Sequence, residues 1–335
     1  MNWRQQIKSN RKKTYGIFFS FVLLYTLLGA VSVLLFTPHY GVDSWVPILT
    51  SQHSLLIILA FVGVSLLMVL ISVLFGGKLS LSGTDAIEIT QDAEDPAYRQ
   101  LFNIVEELKI ASRMRFMPKI YVMPVGYLNA FASGWHEKNA VVAITKPLLD
   151  VLTREELQGV MAHELSHIKH QDTRVMTLVS VSASLLVMII DILFRQVLYG
   201  GASRRRQRKN DASGIIVIVV MILRVLLPIL TSFLVMYVSR KREFLADAGC
   251  VEITRTTKGL ASALEKIHST HVNHSEEMAS AYQNTPNEQM RSMSYIYSPM
   301  KSGIRNWMNI NDWFSTHPSL EERLSALGET TQQDT

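Results

Sequence analysis

Residues 153–170 read TREELQGVMAHELSHIKH, and they run almost directly into the apolar stretch Val175 to Leu198. Thr153 is placed as an N-cap, and Glu156, three residues later, completes a capping box, so a helix is predicted over Arg154 to His170. On that helix His163 and His167 fall one turn apart on one face, about 6 Å along the axis, and their imidazoles can converge on a single Zn²⁺. Glu164 points to the side, where a carboxylate can take a proton from water and hand it to a leaving amine. The H-E-x-x-H pattern thus lies inside a segment that reads as helical on other grounds, and the pair of observations points to a catalytic metal.

Such a zinc takes three protein ligands and keeps a fourth place for water, so another carboxylate or imidazole is needed at the height of His163 and His167. The histidine helix leads into the third of four apolar runs, and the segment bearing Glu243 leaves the fourth, Ile215 to Val238. Folded as an antiparallel hairpin, these runs bring the two segments side by side. His167 lies eight residues before Val175 and Glu243 five residues after Val238, offsets that differ by about one turn. Glu243 is therefore the expected third ligand of one zinc per chain, and Asp247, a turn further on, is placed to accept a hydrogen bond from a ligand imidazole. His170 stands about 10.5 Å from His163 along the axis and reads as a polar residue near the membrane surface. His268, His271 and His274, spaced by three in a polar stretch, read as solvated side chains.

Tyr15 to Phe36 and Leu55 to Phe75 contain no charged residue and are long enough to cross about 30 Å of hydrocarbon as helices. The first is longer than a signal-peptide core and ends in Leu35, Phe36 and Thr37 rather than small residues, so it is expected to stay as an anchor. Arg4, Lys8, Arg11, Lys12 and Lys13 precede it, whereas Thr37 to Ser54 holds neither lysine nor arginine. The N-terminus is then cytoplasmic, and the chain returns to that side at about Gly77. The second hairpin carries Asp191, Arg195 and Arg224, and its arms are joined through Arg204, Arg205, Arg206, Arg208 and Lys209. A full crossing carries five positive charges outward against the usual bias, and a tilted or partly inserted hairpin relieves this. In both geometries the two ends emerge on one face, and Asp191 with Arg224 reads as a structural intramembrane pair or as snorkelling side chains.

Composition agrees with a mixed architecture: 48% of the 335 residues are hydrophobic and 18% charged. The formal charge of +5 sits largely at the N-terminus and in the hairpin tip, which suits membrane flanks and not a nucleic-acid groove. One cysteine, Cys250, excludes an internal disulfide and reads as a small buried apolar residue in a reducing compartment. Between Lys78 and Thr173 the pattern is α+β, with a helix near Pro96 to Arg113, strands at Lys119 to Met123 and Ala140 to Thr145, a loop over Val125 to Glu137 and a helix at Leu148 to Leu152. A long helix is expected over Arg240 to Ile267, followed by a polar stretch from His268 to Trp313. The organisation expected is a membrane hairpin (1–76), a first cytosolic part (77–174), a second apolar hairpin (175–238), a second cytosolic part (239–327) and a disordered tail (328–335). The fold class is mainly α with a small β-sheet and two transmembrane helices.

Four blocks carry a resemblance: Met161 to His167 (MAHELSH), Ser239 to Asp247 (SRKREFLAD), Asn129 to Gly134 (NAFASG), and Thr316 to Leu320 (THPSL) followed by Arg323. Together they closely resemble the HtpX family of membrane zinc endopeptidases, itself similar to the zinc-type CAAX prenyl proteases, and the likeness spans nearly the whole chain. It implies a membrane-anchored, gluzincin-like metalloprotease in which His163, His167 and Glu243 bind zinc and Glu164 is the general base. It also implies that Asn129 contacts the substrate backbone and that His317 steadies the developing oxyanion. By the same resemblance the protein is expected in the plasma membrane, multi-pass, with its catalytic part cytoplasmic. Its expected partners are the lipid bilayer and protein or peptide substrates, above all misfolded or damaged membrane proteins in quality control and stress response. A substrate is expected to lie as an extended strand along Ala140 to Thr145. Two other readings compete: a membrane scaffold that keeps the metal for folding, and a transporter lined by Asp191 and Arg224. Glu164 counts against the first, since a structural zinc takes a fourth protein ligand, and the lack of an internal repeat counts against the second.

Overall fold

The structure is a computed structural model that describes residues 3–36, 45–204, 218, 221–226, 229, 242–288, 291, 294–297 and 318–328. His317, most of the hairpin tip, most of the fourth apolar run and the tail from 329 lie outside these residues. Helix α1 spans Trp3–Phe36, α2 Trp45–Thr50 and α3 Gln52–Leu79. Within them, Thr14–Leu34 and Gln52–Leu79 are long and apolar enough to cross a membrane. Burial along α3 is inverted: Ser54, Ser65, Ser72, Gly76 and Gly77 face the protein. Meanwhile Leu55, Leu59, Leu66, Leu70 and Leu74 are exposed. A leucine left in water forgoes roughly 1.5–3 kcal/mol, so a helix that points its leucines outward and its small residues inward is built for lipid.

The third apolar run forms α7, Asp172–Arg204. Its Val175, Val179, Leu186 and Ile190 pack with Phe21, Tyr25 and Leu28 of α1. Contact with α3 is closer still: a Cβ on Gly76 would lie 2.1 Å from Thr177 Cγ2. Asp191 Oδ1 meets Arg224 Nε at 3.1 Å, and the Arg224 guanidinium stands 4.0 Å from the Phe194 ring centre, so the two arms of the second hairpin touch through a paired charge.

Four strands, β1 (Ile87–Ile89), β2 (Lys119–Met123), β3 (Ala130–Ser133) and β4 (Val141–Thr145), form a mixed sheet in the order β1-β2-β4-β3. β2 and β4 run parallel, and the outer pairs are antiparallel. Helix α4 (Pro96–Ala111) starts at Asp95, whose side chain accepts from the Ala97 amide, and buries Leu101, Ile104, Val105 and Leu108 in the main core. Short α5 (Lys146–Val151) leads to α6, Arg154–Lys169, where the capping box of Thr153 and Glu156 forms as expected. Helical residues 242–254 (α8), Lys258–Asn273 (α9), Ser275–Asn284 (α10) and Leu320–Leu327 (α11) complete the elements used below.

Several expectations need correcting. The loop expected over Val125 to Glu137 contains β3, a strand of Ala, Phe, Ala and Ser whose small side chains carry little strand signal. It is fixed from outside: Ser133 Oγ lies 2.9 Å from Ser80 Oγ and 3.0 Å from Thr177 Oγ1, bolting the strand to the end of α3 and to α7. The long helix expected over Arg240 to Ile267 breaks after residue 254, where Arg255 takes φ 62° and the Thr254 hydroxyl binds the Cys250 and Thr256 carbonyls. β4 is an interior strand paired on both sides, so no substrate can add to it. His271 is fully buried, donating from Nδ1 to Ile267 O and stacking near Tyr282, because α9 is amphipathic and turns that histidine inward.

Candidate metal centre

α6 presents His163, Glu164 and His167 from a stretch that is buried almost throughout, and α8 presents Glu243 and Asp247. The imidazoles stand with Nε2 atoms 3.2 Å apart and ring planes at 89°. Glu243 completes a triangle, its Oε2 3.5 Å from His163 Nε2 and its Oε1 3.7 Å from His167 Nε2. One ligand atom from each of the three lies within 4.8 Å of the others. Tetrahedral zinc with bonds of about 2.0–2.2 Å sets its ligands roughly 3.3–3.5 Å apart, so this donor set fits the ion. His170 is not in the group; it caps α6 and its Nδ1 pairs with Ser166 Oγ at 3.2 Å.

A carboxylate stands behind each imidazole. Asp247 Oδ1 lies 2.9 Å from His163 Nδ1, and Asp172 Oδ2 lies 3.4 Å from His167 Nδ1. Such partners fix the tautomer, leaving each Nε2 lone pair toward the ion. Asp172 stands before the third apolar run and was not singled out by the sequence; its role follows from the turn at Gln171, which takes φ 60°, and from its place at the start of α7.

The electrostatics favour a cation. Burial works against a charged His163, yet bonds to Asp247 and Glu243 push its pKa up to about 9. Burial lowers His167, with Asp172 and Glu243 opposing. Burial also raises Glu164 to about 8, with Glu243 adding to the shift and His163, Arg323 and the Ala132 amide opposing it. Both Glu164 oxygens are enclosed without a hydrogen bond among the described residues, so the Ala132 amide acts on this carboxylate only at a distance. A buried carboxylate left without partners beside three converging ligand atoms is what a site for a cation and a water requires. Beside it opens a cleft lined by Ala132, His167, Thr173, Met176, Arg242, Glu243 and Ser294.

Asn129, which the resemblance sets against the substrate backbone, directly precedes β3. It is fully buried; its Nδ2 donates to Tyr282 Oη and Tyr297 O, each at 2.8 Å, and its Oδ1 accepts from the Ala130 and Tyr297 amides. Tyr297 belongs to residues 294–297, which run antiparallel along the outer edge of β3: Tyr295 bridges to Phe131, and the Ile296 amide donates to Ala130 O at 2.9 Å. Nothing in the sequence marks that segment. Arg323, quoted above only as part of a matching block, enters the centre through Asp247, to which it donates twice.

Residues 97–331 match peptidase family M48. The chain is 36% identical over 325 residues to a protease HtpX homolog of Streptococcus agalactiae serotype III (strain NEM316), covering 96% of this chain and 98% of that protein. It is 28% identical over 332 residues to a protease HtpX homolog of Helicobacter pylori (strain Shi470), covering 97% and 98%. Among solved structures, the crystal structure of S. mikatae Ste24p superposes with a TM-score of 0.46 at 18% identity, over 91% of this chain and 63% of that one.

Proposed function

This chain belongs to peptidase family M48, an HtpX-like zinc metalloprotease, and from that membership we propose that it hydrolyses peptide bonds of membrane or misfolded proteins at the cytosolic surface of the plasma membrane. The observation that carries the reading is the convergence of His163, His167 and Glu243 beside a buried Glu164 that has no hydrogen bond among the described residues. The site would hold one zinc per chain, on His163, His167 and Glu243. Bound there, zinc supplies Lewis acidity toward a scissile carbonyl and lowers the pKa of a water.

Glu164 takes a proton from the attacking water on a carboxylate oxygen and passes it to the departing amide nitrogen. Asp247 accepts a hydrogen bond from Nδ1–H of His163 and holds that ring's orientation; Asp172 does the same for His167. His317 is assigned, through the family resemblance, to the developing oxyanion. Asn129 is assigned, through the same resemblance, to the substrate backbone, and its amide also holds the Tyr297 peptide. An extended substrate then has the Ala132–Ser133 end of β3 to pair with, the part of the metal-side strand not bridged by residues 295–296. Backbone pairing of this kind reads sequence loosely, which suits unfolded segments of many proteins.

Cytosolic parts 77–174 and 239–327 build this one centre, and the membrane hairpins 1–76 and 175–238 hold it at the bilayer. The positive N-terminal flank supports a cytoplasmic position for that face. The test is Glu164→Gln in purified, zinc-loaded, full-length protein. Hydrolysis of an unfolded protein substrate should fall by about 10²–10⁴-fold with zinc still bound. Undiminished hydrolysis would remove Glu164 as the base.

A further inference from the structure

We propose that Arg323 is a positioning residue of the metal centre, fixing Asp247 behind His163 while tying down the peptide wall of the cleft. The inference rests on the metalloprotease reading above. Arg323 projects from α11 and is 3% exposed. Its Nε donates to Asp247 Oδ2 at 3.0 Å and its Nη2 to Asp247 Oδ1 at 2.6 Å, a two-point fork. Asp247 Oδ1 is the same atom that faces His163 Nδ1 at 2.9 Å. One oxygen is therefore shared between a guanidinium and a ligand imidazole, and Arg323 Nη2 itself comes within 3.4 Å of His163 Nδ1.

Geometry gives the fork its consequence. A carboxylate held at one oxygen can swing about its last torsion, whereas one held at both oxygens by a planar guanidinium cannot. The plane of Asp247 is set by Arg323, and the ring of His163 inherits that plane. The charge balance fits too: Asp247, Glu243, Glu164 and Asp172 bring four carboxylates into a buried centre, and Arg323 is a permanent cation beside them.

The remaining donor, Nη1, binds Ile296 O at 2.9 Å. Ile296 lies in the segment paired with β3, and Ser294 of that segment lines the cleft beside His167 and Glu243. A single side chain thus links the metal ligand's orientation to the position of the wall against which a peptide lies. α11 is secured independently of this contact, by the capping box of Ser319 and Glu322 and by buried Leu324. Its arginine can therefore be altered while the helix keeps its own anchors.

The experiment uses the full-length protein in detergent and compares Arg323→Met, Arg323→Lys, Asp247→Asn and the Met/Asn double variant. Zinc affinity is measured by chelator competition, and the ligand geometry by the visible absorption of the cobalt-substituted protein. Arg323→Met should weaken zinc binding by about 10–100-fold and shift the cobalt bands. Arg323→Lys keeps the charge but not the fork and should show the same band shift with a smaller loss of affinity. Because Arg323 acts through Asp247, the double variant should lose little more than the worse single one. Wild-type affinity and cobalt bands in Arg323→Lys, or losses that add fully in the double variant, would overturn the proposal; the lysine variant decides the matter if the methionine one does not fold. Wild-type protein that binds no zinc would instead remove the metal-centre reading, and Arg323's role with it.

Discussion

At Gly249 the two metal-bearing helices meet with no space for a methyl group. A Cβ there would lie 1.9 Å from Ser166 Oγ and 2.9 Å from Ser166 Cβ, and Ser166 sits between His163 and His167 on α6. Gly249→Ala must push α8, with Glu243 and Asp247, away from the histidines. A destabilisation of about 1–3 kcal/mol is expected from overpacking of this kind, together with weaker zinc binding; thermal unfolding and chelator competition on the same preparation read both. Unchanged zinc affinity would show that α8 is not held against α6 at this point. Single residues of the centre were legible to different degrees. His163, Glu164 and His167 stood out because a one-turn spacing on a helix has one chemical purpose, and Glu243 followed from counting residues to the hairpin ends. Arg323 and Asn129 could be matched to a family block but not understood, because their partners, Ile296 and Tyr297, are unmarked in the sequence and reach them only through the fold.

Among the elements, α6 depends on a network at its first turn that reaches beyond its own cap. Glu156, 7% exposed at its side chain, accepts from the Thr153 amide at 2.8 Å, from Ser262 Oγ at 2.6 Å and from Lys266 Nζ at 2.6 Å. Burial alone would raise its pKa, but these bonds, Lys266 first, bring it down from the ordinary 4.5 to about 2. A carboxylate with a depressed folded pKa contributes stability that is complete above about pH 4.5 and is lost as pH falls through about 2. Glu156→Gln should therefore be less stable than wild type near neutrality and should lose less on acidification, the two curves drawing together below about pH 4.5 and meeting only below about pH 2. Parallel curves from pH 6 to pH 2 would contradict this role. The capping box itself was plain from Thr153 and Glu156, while the contribution of α9 was hidden by its distance in sequence. β3 was invisible for a different reason: Ala130, Ala132 and Ser133 have no strand preference, and pairing with β4 and the Ser80–Ser133–Thr177 contacts hold them extended. The break between α8 and α9 was likewise missed, because hydrophobic spacing continues across Arg255 although the backbone does not.

For the molecule as a whole, the sheet, α4 and α6 form a peptidase part seated on the ends of α3 and α7. The membrane helices were the most legible feature, since an uncharged run of twenty or so apolar residues has few uses in water. The inverted burial of α3 adds what hydropathy could not, namely which face meets lipid. The proposed cytoplasmic N-terminus predicts that a cysteine at Asp43 reacts with a membrane-impermeant thiol reagent on intact cells and one at Glu94 does not; the reverse pattern would invert the topology. Cys250 does not interfere, being buried with its thiol pushed up to about 12 by desolvation. What joins these parts is a single centre assembled from both sides of the second hairpin, and X-ray absorption at the zinc edge of the full-length protein addresses it directly. One zinc per chain with two imidazole nitrogens and only oxygen donors besides is the expected spectrum. A sulfur neighbour, or a third imidazole in place of the Glu243 carboxylate, would contradict it.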